Sequence, residues 1–213
     1  MSDEVSLKSE RTERSFAAGG APKSLIVLLI VGGLIGFIAA FDLTVEKIEL
    51  LMDPNYIPSC SISPLLSCGG VMKTAQATAF GFPNSLLGIA GFSIVTTVGA
   101  ALAAGATFRR WFWLGLQAGV TLGVLFVLWL IFSSLFVIGL LCPYCLVVWA
   151  VTIPIFWYVT THNLREGHIA TPHLLQPITD SLVRRPLIVV IAWMLLIVVL
   201  ILIRFWDYWS TLI

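Results

Sequence analysis

"WFWLGLQAGVTLGVLFVLWLIFSSLFVIGLLCPYCLVVWAVTIPIFWYVTTHNL", residues 111–164, contains no aspartate, glutamate, lysine or arginine. One helix of that length would run about 80 Å, far beyond the roughly 30 Å of hydrocarbon in a bilayer. Two crossings joined by a tight turn fit the stretch instead. Ser133, Ser134, Gly139 and Pro143 mark the turn, because proline sits poorly inside a helix but suits its first turn. This predicts a third span over about 111–135 and a fourth over about 142–161.

The neighbouring segments repeat the pattern. Ser24 to Phe41 carries no charge and is long enough to cross as a helix. Its apolar core exceeds the roughly 7–15 residues of a cleavable signal, so it reads as a retained first span. Asn84 to Thr107 is the second span, preceded by Pro83 and closed by "FRR". Leu187 to Ile203 is the fifth; Arg204 can snorkel at its end, and Trp206, Tyr208 and Trp209 can anchor there. Residues 1–23 form a polar tail, 42–83 the longest connection, 162–186 a polar loop and 207–213 a short tail. Within the long connection, "GGVMKTAQATAF" (69–80) has the spacing of one short amphipathic helix on the membrane surface.

Of the 213 residues, 59% are hydrophobic and 11% charged, against about a quarter charged in soluble domains. The class is therefore all-α integral membrane protein, multi-pass, with five transmembrane helices. A net charge of +1 supplies no basic field for phosphates, which argues against nucleic acid as a partner.

Lysine and arginine near span ends tend to stay in the cytoplasm. With the N-terminus inside, the inner segments hold nine (Lys8, Arg11, Arg14, Lys23, Arg109, Arg110, Arg165, Arg184, Arg185) and the outer ones three (Lys47, Lys73, Arg204). The expected arrangement in the cell membrane is a cytoplasmic N-terminus with the C-terminus outside. Cys60 and Cys68 follow the first span and Cys142 and Cys145 open the fourth. By parity all four cysteines then face outward, where disulfides persist.

Cys142 is expected near the N-cap of the fourth helix, with Pro143 in the first turn. Cys145 follows three residues on, on nearly the same face, so a disulfide between them is feasible. Partial positive charge at a helix N-terminus favours thiolate and makes such cysteines reactive. Three other readings stand beside a redox one. Two structural disulfides could staple an exported loop, but a helix start needs no staple. A four-cysteine zinc site matches the residue types but not the C-x7-C spacing. Attachment of c-type haem requires His after C-x-x-C, and residue 146 is Leu. His162, His168 and His173 fall on the inner side by parity, away from the cysteines, and read as an ordinary polar loop.

With "PSCSISPLLSCGGVMKTAQATAFGFPNSLLGI" (58–89) and "CPYCLVVW" (142–149) in place, the chain resembles the vitamin K epoxide reductase family, in its bacterial branch. The resemblance runs over most of the chain from the first span onward. It implies a four-helix bundle around a quinone pocket with one peripheral helix. It also implies that the Cys60/Cys68 pair collects electrons from a thioredoxin-fold protein and passes them to Cys142/Cys145, which reduces the quinone (menaquinone, ubiquinone or a vitamin K type). Carried over, Cys68 exchanges with Cys142, and Cys145 faces the quinone ring. Thr74 matches a Ser/Thr that assists the loop chemistry, and Asn84 an asparagine that hydrogen-bonds a quinone carbonyl. Trp149 stands where animal members have tyrosine; its indole stacks and donates through N–H but has no hydroxyl to accept. Some bacterial relatives continue into a fused thioredoxin-like domain, whereas this sequence ends "RFWDYWSTLI", so a separate exported thioredoxin-fold donor is expected.

A competing class is a multi-span transporter or structural membrane protein whose disulfides are purely structural. Ion transport usually leaves ionisable residues inside spans, and none lies mid-span here. The disulfide-bond protein B family places its dithiol motif early, beside the second span, rather than at the fourth.

Overall fold

The computed structural model describes residues 21–169, 182–183 and 185–210. Helix α1 is Lys23–Met52 and the short α2 is Cys68–Met72, followed by a 3₁₀ turn at Ala75–Thr78. Helix α3 is Ser85–Ala103, and α4 is Arg110–Phe132, prolonged by a π-helical turn at Ser133–Ile138. Helices α5 (Pro143–Arg165), α6 (Pro186–Arg204) and the short α7 (Trp206–Ser210) follow among the described residues. Five helices are long and apolar enough to cross a membrane, so this is an all-α, multi-pass membrane protein. Their outward faces carry Val27, Leu34, Ile38, Leu122, Leu125, Leu195 and Ile203, all exposed. In hydrocarbon such faces cost nothing, and each helix satisfies its own backbone.

Helix α1 is the spine, packing along α3 on one side and α5 on the other, with α4 against the far side of α5. Small residues permit the first contact. A Cβ on Gly33 would fall 3.1 Å from the backbone nitrogen of Thr96, and one on Gly99 would fall 2.9 Å from that of Ile30. Between apolar helices such close approach supplies the dispersion contact that replaces a hydrophobic drive. Helices α4 and α5 are joined by polar contacts instead. The Asn163 amide, fully buried, donates to Gln117 Oε1 at 3.0 Å and to the Trp113 carbonyl at 3.3 Å. Gln117 in turn donates to Thr160 Oγ1 at 2.9 Å. Helix α6 leans on α5 and buries only Val190 and Ile197 along its length. It is the peripheral helix beside a four-helix bundle of α1, α3, α4 and α5.

Three local features differ from the expectations. The apolar run of α1 ends near Phe41, but its helix continues to Met52 and buries Glu46 and Leu50. Residues 69–80 do not form one amphipathic helix. The Thr74 hydroxyl donates to the Val71 carbonyl at 2.7 Å and the Asn84 amide donates to the Gln76 carbonyl, so the segment breaks into α2 and the 3₁₀ turn. His162 lies within α5 rather than in a loop, buried with its ring 4.2 Å from that of Trp113. His168 faces Asn163 Oδ1 at 3.1 Å, and His173 lies outside the described residues. No group of three potential metal ligands occurs among the described residues.

Candidate redox site

The π turn after α4 shapes the approach to the cysteines. It closes on Gly139, at φ 71°, whose N–H donates to the Ser134 carbonyl at 2.9 Å. A left-handed position of this kind favours glycine, which has no Cβ to clash. Arg204 of α6 donates to the Leu135 carbonyl at 2.9 Å, which satisfies a backbone acceptor freed by the widened turn. The chain then runs extended through Leu141, where a parallel bridge forms with Leu66. Leu141 N–H donates to the Leu65 carbonyl at 2.9 Å, and Ser67 N–H donates to the Leu141 carbonyl at 2.9 Å. Immediately beyond each side of this bridge stands a cysteine.

Cys68 opens α2 behind the Ser67 N-cap, whose hydroxyl accepts from Gly70 N–H at 3.2 Å. Cys142 is the N-cap of α5, with Pro143 following. Cys60 and Cys68 form a disulfide; Cys142 and Cys145 are free thiols. The Cys142 sulfur lies 3.2 Å from the Cys68 sulfur. Cys60, Cys68 and Cys142 are all buried in one cluster with Leu50 and Met72. The bridge therefore sets a thiol directly against a disulfide, the arrangement that thiol–disulfide exchange requires.

Beneath the cysteines a cavity of about 550 Å³ opens between α3 and α4, the neighbouring pair that does not pack tightly. Cys142, Cys145, Thr74, Asn84 and Trp149 all line it. Bare backbone lines part of both sides: a Cβ on Gly91 of α3, or on Gly115 or Gly119 of α4, would meet nothing within 4 Å. Trp149 is buried, 2% exposed, and its indole N–H has no acceptor. A buried donor without a partner is costly. Asn84 is mostly committed: its amide donates to the Gln76 carbonyl at 2.6 Å and its Oδ1 accepts from Ala79 N–H at 3.2 Å.

A family model for the vitamin K epoxide reductase family matches residues 27–160. The chain belongs to that family. The match covers α1 through nearly all of α5, and so every cysteine. Membership makes the protein a membrane oxidoreductase of the thiol–disulfide type. No individual curated protein matches the chain.

One residue of consequence carries no motif. Glu46, near the end of α1 and 8% exposed, accepts from Ser59 N–H at 3.2 Å, from the Ser59 hydroxyl, and from the Tyr56 hydroxyl at 3.0 Å. Interactions with the carboxylates of Glu49 and Glu46 push the Tyr56 phenol well above its ordinary range. Only the helical spacing of Glu46 and Glu49 could have hinted that both face the same tyrosine.

Proposed function

We propose that this vitamin K epoxide reductase family member takes electrons from an exported thioredoxin-fold dithiol protein and delivers them to a membrane quinone. Such an enzyme would support disulfide formation outside the cytoplasm, with its cysteine end on the outer side of the cell membrane. The observation that carries the reading is a disulfide, Cys60–Cys68, touching a free thiol whose C-x-x-C partner lines an apolar cavity.

A donor thiolate attacks Cys60; the donor–Cys60 bond forms, the Cys60–Cys68 bond breaks, and Cys68 leaves as thiolate. The donor's second thiolate then attacks the donor sulfur of that mixed disulfide. It leaves as an internal disulfide, and Cys60 is left as a thiol. Cys68 attacks an oxidised Cys142–Cys145 pair at Cys142, releasing Cys145 as thiolate. Cys60 then attacks Cys68 of the Cys68–Cys142 bond, which restores the loop disulfide and leaves Cys142 and Cys145 reduced. That last state has the bonding seen here.

A quinone bound in the cavity would supply the two-electron acceptor that reoxidises the pair. The site fits such a group: its lining is mostly apolar, and the buried indole N–H of Trp149 has no acceptor within the protein. Thr74, at the cavity mouth, holds the end of α2 through its bond to Val71 and so helps fix Cys68.

The test is quinone absorbance with purified protein and a reduced thioredoxin-fold protein. Bleaching of the quinone with stoichiometric oxidation of the donor is expected, and Cys145→Ala should abolish it. Full activity in that variant would overturn the electron path.

A further inference from the structure

Cys60 is held from both flanks. On one side Ser61 Oγ accepts from Gly69 N–H at 3.3 Å, and Pro58 packs over Gly69, which ties the turn to α2. On the other side Glu46 of α1 takes the N–H and hydroxyl of Ser59, the residue next to Cys60, together with the Tyr56 hydroxyl. The carboxylate is buried and its bonds are charge-assisted, the stronger kind. Cys60 itself is only 6% exposed.

We propose that Glu46 is a positioning residue that keeps the Cys60 sulfur beside Cys68 after their bond has opened, and so sets the balance between the two alternative disulfides. The inference rests on the thiol-exchange half of the proposed function, and no quinone enters it. The exchange is an isomerisation. Cys142 thiolate attacks Cys68, the Cys142–Cys68 bond forms, the Cys68–Cys60 bond breaks, and the electron pair leaves on Cys60. No external oxidant or reductant is consumed. The return step is attack by Cys60 on the same sulfur, and its rate depends on how closely Cys60 is held. Helix α1 holds both partners: Lys47 donates to the Met72 carbonyl at the end of α2 at 2.7 Å, and Glu46 bonds the turn that carries Cys60.

The effect can be read without donor or quinone. In a Cys145→Ser background the full-length protein, in detergent, has three cysteines and one disulfide. It is equilibrated in a glutathione buffer, quenched in acid, alkylated and digested, and the Cys60–Cys68 and Cys68–Cys142 peptides are quantified by mass spectrometry. Adding Glu46→Ala should raise the ratio of Cys68–Cys142 to Cys60–Cys68 about tenfold, the size expected for losing one charge-assisted hydrogen bond. Cys60 should alkylate faster in parallel. Glu46→Gln keeps an acceptor oxygen and should restore part of the shift, which a general loosening of the fold would not show. Should Glu46→Ala fail to fold, the paired Tyr56→Phe and Ser59→Ala substitution removes two donors from the other side and should move the ratio in the same direction. An unchanged ratio in a folded variant overturns the proposal. If that same variant still reduces quinone, the proposed function survives it.

Discussion

The sulfur of Cys142 touches that of Cys68 across 74 positions of sequence, at 3.2 Å. The contact depends on little local machinery: a two-bond bridge between Leu141 and the Leu65–Ser67 segment, with a helix start just beyond each side. Cys68 opens α2 and Cys142 caps α5, so the two helix starts bring the sulfurs together.

This contact predicts spontaneous cross-linking. In Cys60→Ala the Cys68 thiol loses its ordinary partner but keeps Cys142 in reach. Mild oxidation should give a Cys68–Cys142 disulfide as the main product, identified by peptide mapping. Leu141→Pro removes the N–H that bonds Leu65 and should cut the yield severalfold. Equal yields in both proteins would mean that the bridge does not set the geometry.

Removal of the orphaned donor makes a sharper prediction. Trp149→Phe keeps a ring in the cavity wall but deletes an indole N–H that has no acceptor in the protein. The melting temperature of the free protein should therefore hardly move. The apparent KM for quinone should rise by about five- to thirtyfold, the equivalent of one lost hydrogen bond of about 1–2 kcal/mol. A large loss of stability with unchanged KM would make Trp149 a core residue only.

Alkaline titration tests the cluster on α1. The Tyr56 phenol is raised by Glu49 and Glu46, so the folded state holds its proton at pH values where the unfolded chain has released it. The resulting stabilisation is present below the ordinary tyrosine value of about 10 and is lost as pH climbs through the raised one. Tyrosinate absorbance should show a late-titrating step, and Tyr56→Phe should remove it. An unaltered titration would sever the link between Tyr56 and the two carboxylates.

The spans were legible because hydrocarbon imposes a simple rule on the sequence: charge must be absent over a bilayer's length. The cysteines were legible because C-x-x-C with proline at a helix start is a sparse pattern. Other features leave no comparable trace. A helix does not need the bilayer to continue, so the charges of "DLTVEKIEL" (42–50) mark where α1 leaves the apolar layer and not where it stops. The Leu66–Leu141 bridge joins two ordinary leucines by backbone alone, and nothing in their side chains announces it. Glu46 reads as one more solvated charge until the turn at Ser59 folds over it. The glycines at 115, 119 and 123 pass for ordinary small residues of a span; only the separation of α3 from α4 turns them into a cavity wall.

That wall supports the last prediction. A Cβ on Gly119 meets nothing within 4 Å, so a larger side chain there has room in the free protein and fills the space intended for a ligand. Gly119→Leu should fold normally and gain about 0.5–1 kcal/mol from better helix propensity. Quinone reduction should fall more than about tenfold, since overfilled sites lose binding steeply. Exchange between Cys68 and Cys142 should persist, because Gly119 lies on α4 and no α4 residue belongs to the cluster that holds the two sulfurs. Thermal melting, quinone turnover and disulfide mapping on the same preparation separate the three outcomes. Wild-type turnover in this variant would place the quinone somewhere other than between α3 and α4.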